Sequence, residues 1–304
     1  MRSVNFVVLG DYSIASELGK KGTESDITIY DRKSRDSIYT FIAPTSFPEK
    51  IQPLIQSINM AEYAILNVKA LDKYLGESII ALDLLNVRNG FILTSDIIDI
   101  DQLKNLIKDT SLANFEFVDM DGLKRRLDKI DVIKREGDLL INIDHAFDVR
   151  GVGAVVLGIV REGKVRVYDE VQIMPLEKNV MIRSIQLHGD NVQEAASPAR
   201  VGLALKGIKA DEITRGDMIT KPNRLRKSNK LLIKFEKSKF FNEELNEKHM
   251  YMLALGLQVK PVKIKFDNEI VSEKEIAYKE GDIGLLLKPD SKVNRIVGKV
   301  IIEE

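Results

Sequence analysis

The pattern of apolar and polar positions divides the chain into two regimes. Up to about Ile130, short apolar runs alternate with segments of helical spacing. Residues 4–10 are almost wholly apolar, as a strand buried on both faces should be. Residues 13–20 predict a short helix, and 27–30 and 38–42 predict strands. A helix is expected with Pro48 in its first turn, because Ile51, Leu54, Ile55 and Ile58 recur at the spacing of one buried face. Further strands are predicted at 64–68, 91–94 and 115–118, and further helices at 71–85, 100–108 and 123–130. Six strands separated mostly by helices predict a largely parallel, doubly wound sheet covered on both faces.

After about Lys134 the helical spacing disappears. Glycines punctuate short alternating strands, with Val165, Val167, Val171 and Ile173, then Val201, Leu203 and Leu205, at every second position. This is the pattern of a small antiparallel barrel. A second β-rich segment begins near Asn223, with strands expected around 230–235, 250–257, 262–266, 283–287 and 296–302. The predicted organisation is an α/β domain over 1–134, a β-barrel over 135–222 and a second β-barrel over 223–304.

Composition narrows the chemistry. A length of 304 residues suits two or three domains of roughly 100–150 residues each. With 44% hydrophobic residues, the chain has enough apolar content to fold. Cysteine is absent, which excludes disulfides and thiolate chemistry. The three histidines, His145, His188 and His249, are not at metal-ligand spacing, and no metal site is predicted. No apolar run approaches the ~20 residues of a membrane span, and Arg2 leads directly into a strand, unlike a secretory leader. A cytoplasmic protein without a membrane partner is expected. No nucleophile–base order, metal-ligand pair or dinucleotide fingerprint is present, and no catalytic residue is assigned. Asp119 and Asp121 read as turn formers.

The segment from Ile143 to Pro222 carries the most specific signal. It contains IDHAFDVRGVGAVVLGIVREGKVRVYDEVQIMP and, later, RSIQLHGDNVQEAASPARVGLALKGIKADEITRGDMITKP. These stretches resemble the second domain of translational GTPases of the elongation factor Tu class, through Gly151 and Gly153, the hairpin region from Gly158 to Gly163, and the closing LKGI and ITRGD. IDHAF, PLEKN and RSIQLHG look most like a selenocysteine-specific elongation factor of archaeal or eukaryotic type, and residues 230–259 resemble the start of that family's third domain. Tight hairpins alone would account for Gly151, Gly153, Gly163 and Gly189. The resemblance implies a Ras-like α/β domain followed by two barrels. It also implies a fourth domain, which a chain ending at Glu304 would lack.

The resemblance further implies a nucleotide site, and this sequence departs from it at each element. A phosphate-binding loop G-x-x-x-x-G-K-[ST] cradles phosphates with backbone N–H groups, a lysine and a metal-holding hydroxyl. Here Gly10 keeps the first glycine, while Ala15, Ser16 and Glu17 replace the second glycine, the lysine and the hydroxyl. Glu17 is expected to set a carboxylate against the phosphates. The D-x-x-G motif falls on Ala43, Pro44, Thr45 and Ser46, with Phe47 at the water-orienting histidine. The guanine-reading N-K-x-D falls on Thr94, Ser95, Asp96 and Ile97. Thr28 matches a first-switch threonine, but it follows Gly10 too closely for the usual switch. The expectation is a GTPase-like domain that does not hydrolyse GTP, with GTP and magnesium binding absent or weak.

Two further site expectations remain. By resemblance, Asp144, His145 and Arg200 stand where the family reads the aminoacyl group; a guanidinium beside an imidazole would favour a selenolate over a neutral serine. Between Lys221 and Lys239 lie eight basic residues (Lys221, Arg224, Arg226, Lys227, Lys230, Lys234, Lys237 and Lys239) against a single acid, Glu236, on a chain whose 46 basic and 46 acidic residues otherwise cancel. Such a strip suits phosphate contacts, and the implied partner is tRNA or another RNA, not DNA, with the ribosome or another translation factor as a further partner. Two other readings stay open. One is a functional GTP-binding elongation factor with an unorthodox site near Lys20 and Lys21. The other is a protein–protein scaffold whose groove is lined by Tyr12, Phe47 and Pro48.

Overall fold

The computed structural model describes residues 1–265 and 267–303. The first unit is built from β1 (Arg2–Gly10), α1 (Ala15–Leu18), β2 (Lys20–Lys21), β3 (Thr28–Lys33), β4 (Ser37–Ala43), α2 (Gln52–Asn59), β5 (Tyr63–Val68), α3 (Lys73–Leu84), β6 (Gly90–Thr94), α4 (Ile100–Ile107), β7 (Glu116–Phe117) and α5 (Met120–Leu127). Its sheet runs β2-β3-β4-β1-β5-β6-β7. Strands β4, β1, β5, β6 and β7 are parallel, while β3 is antiparallel to both β4 and β2. The largely parallel expectation therefore holds for the centre and fails at one edge. There, residues 34–36 form a tight connection, and a parallel return would need a crossover. The two-residue β2 carries no apolar pattern and is invisible in the sequence.

Helix boundaries moved where capping chemistry competes with periodicity. The predicted 13–20 helix is a 3-10 turn over Tyr12–Ile14 followed by the single turn of α1. The helix expected around Pro48 opens at Gln52, and Pro53, not Pro48, sits in its first turn. Asp119 accepts the Gly122 amide and caps α5, which starts at Met120, three residues before the expected position.

Two apolar clusters cover the sheet. Val4, Phe6, Val8, Leu123 and Leu127 pack on one face. Val7, Leu9, Leu54, Ile55, Ile79 and Leu103 pack on the other, and this second cluster continues without a break into Leu257, Leu285, Leu287 and Ile296 of the last unit. That continuity explains why α2 buries polar residues. Gln56 Nε2 donates to the Leu257 carbonyl at 2.8 Å, and Asn59 Nδ2 donates to the Gly256 carbonyl at 3.0 Å.

Strands from Leu140–Val149 to Met218–Thr220 close a six-stranded antiparallel barrel, with an extra hairpin strand, Asp190–Val192, at its edge. Strands from Arg226–Lys237 to Ile296–Ile302 close the second barrel. Its strand Glu269–Tyr278 escaped the sequence reading, because the polar run Ser272–Glu275 interrupts the alternation of Ile270, Ile276 and Ala277. Phe266, the predicted end of one strand, lies outside the described residues. Among the described residues no helix is long and apolar enough to cross a membrane.

Buried ion pairs pin the units together. Arg295 meets Glu77 of α3 through Nε–Oε1 at 2.9 Å and Nη2–Oε2 at 2.5 Å, donates to the Pro48 carbonyl at 2.7 Å, and lies over the Phe47 ring. Arg161 of the first barrel meets Glu62 at 2.8 Å. Removing one member of such a pair strands a buried charge. Glu77→Ala should lower stability by about 3–5 kcal/mol in chemical denaturation. Glu77→Met combined with Arg295→Met should recover most of that loss.

Candidate functional site

The remnants of the nucleotide site are bonded to one another. Gly10 lies at φ +77°, and a Cβ there would stand 2.2 Å from the Asn67 carbonyl oxygen, so only glycine fits. The Asp11 amide donates to that carbonyl at 2.9 Å, and Asn67 Nδ2 donates to the Asp11 carbonyl at 2.8 Å. The Ser13 amide donates to the Asp11 carboxylate at 3.1 Å. Tyr12 reaches across, its hydroxyl donating to the Thr45 carbonyl at 3.2 Å. Thr45 Oγ1 donates to the Ser25 carbonyl at 3.0 Å and lies 3.1 Å from Thr28 Oγ1. The amides of Asp11 and Ser13, both in the loop that would cradle phosphate, are thus already bonded within the chain.

A cavity of about 290 Å³ survives beside this loop, lined by Gly10, Tyr12, Phe47, Asn67, Lys69 and Tyr74 among others. Phe47 is buried, with Tyr74 edge-on to its ring. Ser16 and Glu17 do not line this cavity. They are exposed and line a separate cleft with Lys20, Lys21, Lys33 and His188. The expected clash between Glu17 and phosphate therefore does not arise at this cavity. Ala43 is buried at the end of β4, and the Ser46 amide donates to the Asp26 carbonyl. Thr94 ends β6, and Ser95 Oγ is buried without a partner among the described residues.

Asp144, His145 and Arg200 come together on the first barrel. The pairing of strands Leu140–Val149 and Gly153–Glu162 shifts between Ile143 and His145, leaving Asp144 as the extra residue of a bulge. Bulges re-aim side chains in this way. Arg200 starts a strand on the far side of Gly153–Glu162. Between them, Gly158 has no room for a side chain, since a Cβ would lie 2.5 Å from the Asn142 carbonyl oxygen. Arg200 Nη2 donates to Asp144 Oδ2 at 2.8 Å, and His145 Nδ1 stands 3.4 Å from the same oxygen. Asp144 is only 3% exposed. Burial alone would raise its pKa, but Arg200 and His145 outweigh it and hold the carboxyl at about 2. Asp144 Oδ1 and Arg200 Nε are buried without partners among the described residues, and His145 Nδ1 has only its long 3.4 Å contact with Asp144. Buried groups of this kind call for a ligand or another explanation.

Sequence reading missed Arg215. Its guanidinium grips both carboxylate oxygens of Asp26 at 2.7 and 2.8 Å, and its Nε donates to the Asp144 carbonyl at 3.2 Å. Arg215 thereby ties the first-switch remnant to the site on the barrel. Burial pushes the Asp26 pKa up, but Arg215 overcomes this and lowers it. The arginine was visible in ITRGD, yet no local pattern links it to a residue so distant in sequence.

The basic strip is interleaved with acids. Lys221 pairs with Asp169, Arg224 with Asp138, Lys227 with Glu177 and Glu275, and Lys234 with Glu236. Lys237 donates to the Glu243 carbonyl, Lys239 stands over the Phe240 ring, Arg226 is engaged as well, and Lys230 is exposed. Apart from Lys221 and Arg224, these residues share the strand Arg226–Lys237 and its exit. They do not approach the Asp144 cluster through any described contact.

An α/β unit is thus joined to two six-stranded barrels, with an arginine-held carboxylate on the first barrel. Residues 153–220 match the family described as elongation factor Tu domain 2. The chain is 39% identical to an uncharacterized protein of Methanocaldococcus jannaschii over 292 residues, 94% of each. It is 29% identical to the selenocysteine-specific elongation factor of the same organism over 264 residues, covering 78% of this chain and 56% of that one. The structure of translation elongation factor SelB from Methanococcus maripaludis in complex with the GTP analogue GPPNHP shares the fold, with a TM-score of 0.86 at 23% identity, over 100% of this chain and 79% of that one. The chain belongs to one family with the uncharacterized M. jannaschii protein, it carries an elongation factor Tu domain 2, and its fold is that of SelB.

The lowered pKa of Asp144 gives a pH signature. Its ionised form contributes roughly 2 kcal/mol of stability. That contribution is complete above the ordinary value of 3.8 and is lost as pH falls towards about 2. Asp144→Asn should be less stable than the parent at neutral pH. The gap, followed by denaturation across acid pH, should narrow over that window.

Proposed function

We propose that this protein binds RNA at an aminoacylated 3′ end without binding or hydrolysing GTP, and works in the cytoplasm beside the ribosome or another translation factor. One observation carries the reading: the Asp144–His145–Arg200 cluster is assembled, with unsatisfied buried atoms on Asp144 and Arg200, while the loop aligned with the phosphate-binding motif is closed on itself. A molecule whose ligand pocket persists after its switch has been lost acts as a carrier or regulator, not as a codon-sensing timer. The chemistry of the cluster favours an aminoacyl group that is anionic at neutral pH, as a selenol is, because the guanidinium and imidazole supply donors. The basic residues from Lys221 to Lys239 support contact with the RNA backbone. Arg224, Lys227 and Lys234 pair with exposed surface carboxylates, and such pairs are worth about 0–1 kcal/mol each, so phosphates can replace them.

Filter binding of aminoacylated and deacylated tRNA, without nucleotide and at about 50 mM salt, tests the proposal. Aminoacylated tRNA should be retained more tightly, and retention should fall steeply with added salt. Arg200→Ala should lower affinity for the aminoacylated form by about 10- to 100-fold, as expected for losing a hydrogen bond to a charged group, and leave the deacylated form unchanged. Equal and negligible retention of both RNAs would dispose of the reading.

A further inference from the structure

A second cavity, of about 470 Å³, lies where the three units meet, on lining residues that include none of the Asp144 cluster. The α/β unit supplies Glu62 and Arg88, the first barrel Asn142 and Arg161, the last barrel Lys279 and Asp282, and Arg135 comes from the segment that joins the first two. Its volume is in the range of small-molecule sites.

The charges around it do not cancel locally. Arg161 is taken up by Glu62 at 2.8 Å, and the other Glu62 oxygen accepts from Asn5 Nδ2 at 2.9 Å. Lys279 is taken up by Glu162 at 2.7 Å. Asp282 accepts the Lys279 amide at 2.9 Å, and burial pushes its carboxyl towards the neutral form. Arg88 and Arg135 are left. Arg88 donates only to the neutral Asn86 side chain, at 2.8 Å, and Arg135, though attracted by Glu62, makes no ion pair or side-chain hydrogen bond among the described residues. Arg135 lies near enough to Arg161 for the two to repel. Asn142 also lines the cavity, beside Gly256, with a side-chain amide that has no hydrogen bond among the described residues and is not sealed from solvent. Two guanidiniums lining one cavity with unused donors suit the oxygens of a phosphate group.

We propose that this junction binds a small phosphate monoester, with Arg88 and Arg135 on the phosphate and Asn142 on a polar group of the remainder. Such a ligand bridges the α/β unit and the first barrel, so its binding stabilises their docked arrangement. The inference is independent of the aminoacyl reading, since it uses other residues.

Thermal melts of the full chain with AMP, inorganic phosphate and adenosine, each against sodium chloride of matched ionic strength, test it. AMP should raise the melting temperature saturably, by about 3–5 °C well above its dissociation constant, and adenosine should not. A rise with inorganic phosphate equal to that with AMP assigns the site to free phosphate and keeps the guanidinium assignment. Both arginines are exposed, so R88Q/R135Q should fold and lose the rise, whereas Arg200→Ala should keep it. Absence of a saturable rise with either phosphate compound, or an equal rise in R88Q/R135Q, overturns the proposal.

Discussion

The Asp11 amide donates to the Asn67 carbonyl, and the Asn67 side chain returns a hydrogen bond to Asp11. In a phosphate-binding loop the value of the backbone amides lies in their being free, aimed at an anion and desolvated together. Here the Asp11 and Ser13 amides have internal acceptors, and Tyr12 and Thr45 tie the loop to the segment that would otherwise respond to nucleotide. Opening this arrangement to admit a triphosphate would break several hydrogen bonds, each worth about 0.5–1.5 kcal/mol net, without the lysine of the motif to compensate. The proposed loss of the switch thus has a physical basis in a satisfied network as well as in missing motif residues.

Protein contacts hold the units of this chain together. The apolar cluster beneath α2 and α3 runs unbroken into the last barrel, and the Glu77–Arg295 and Glu62–Arg161 pairs are buried within the interfaces. Arg215 adds a clamp from Asp26, beside Thr28, to the carbonyl of Asp144. These contacts position the Asp144 cluster.

Much of this was legible in the sequence where a feature is local. The both-face-buried run around Val7 and the alternation of Leu231 and Ile233 announced a central strand and a barrel strand. The IDHAF and PARVG stretches placed Asp144, His145 and Arg200 in one site before any geometry was known. What escaped depends on long-range contact. Gln56 reads as a polar exception in α2 until Leu257 is seen above it. Arg215 and Asp26 are linked only by the docking of two units. Glu17 was read as the residue facing the phosphate, but the single turn of α1 directs it into the neighbouring cleft. The basic strip stood out because counting along one segment ignores acids such as Asp138, Glu177 and Glu275, which arrive from other strands.

The central claim is that the loop from Gly10 to Ala15 no longer receives a nucleotide. Isothermal titration of the full chain with a non-hydrolysable GTP analogue and magnesium tests it directly. No saturable heat should appear at millimolar analogue. Micromolar binding would contradict the account, because it would require the Asp11–Asn67 closure to open and a new counter-charge to be found.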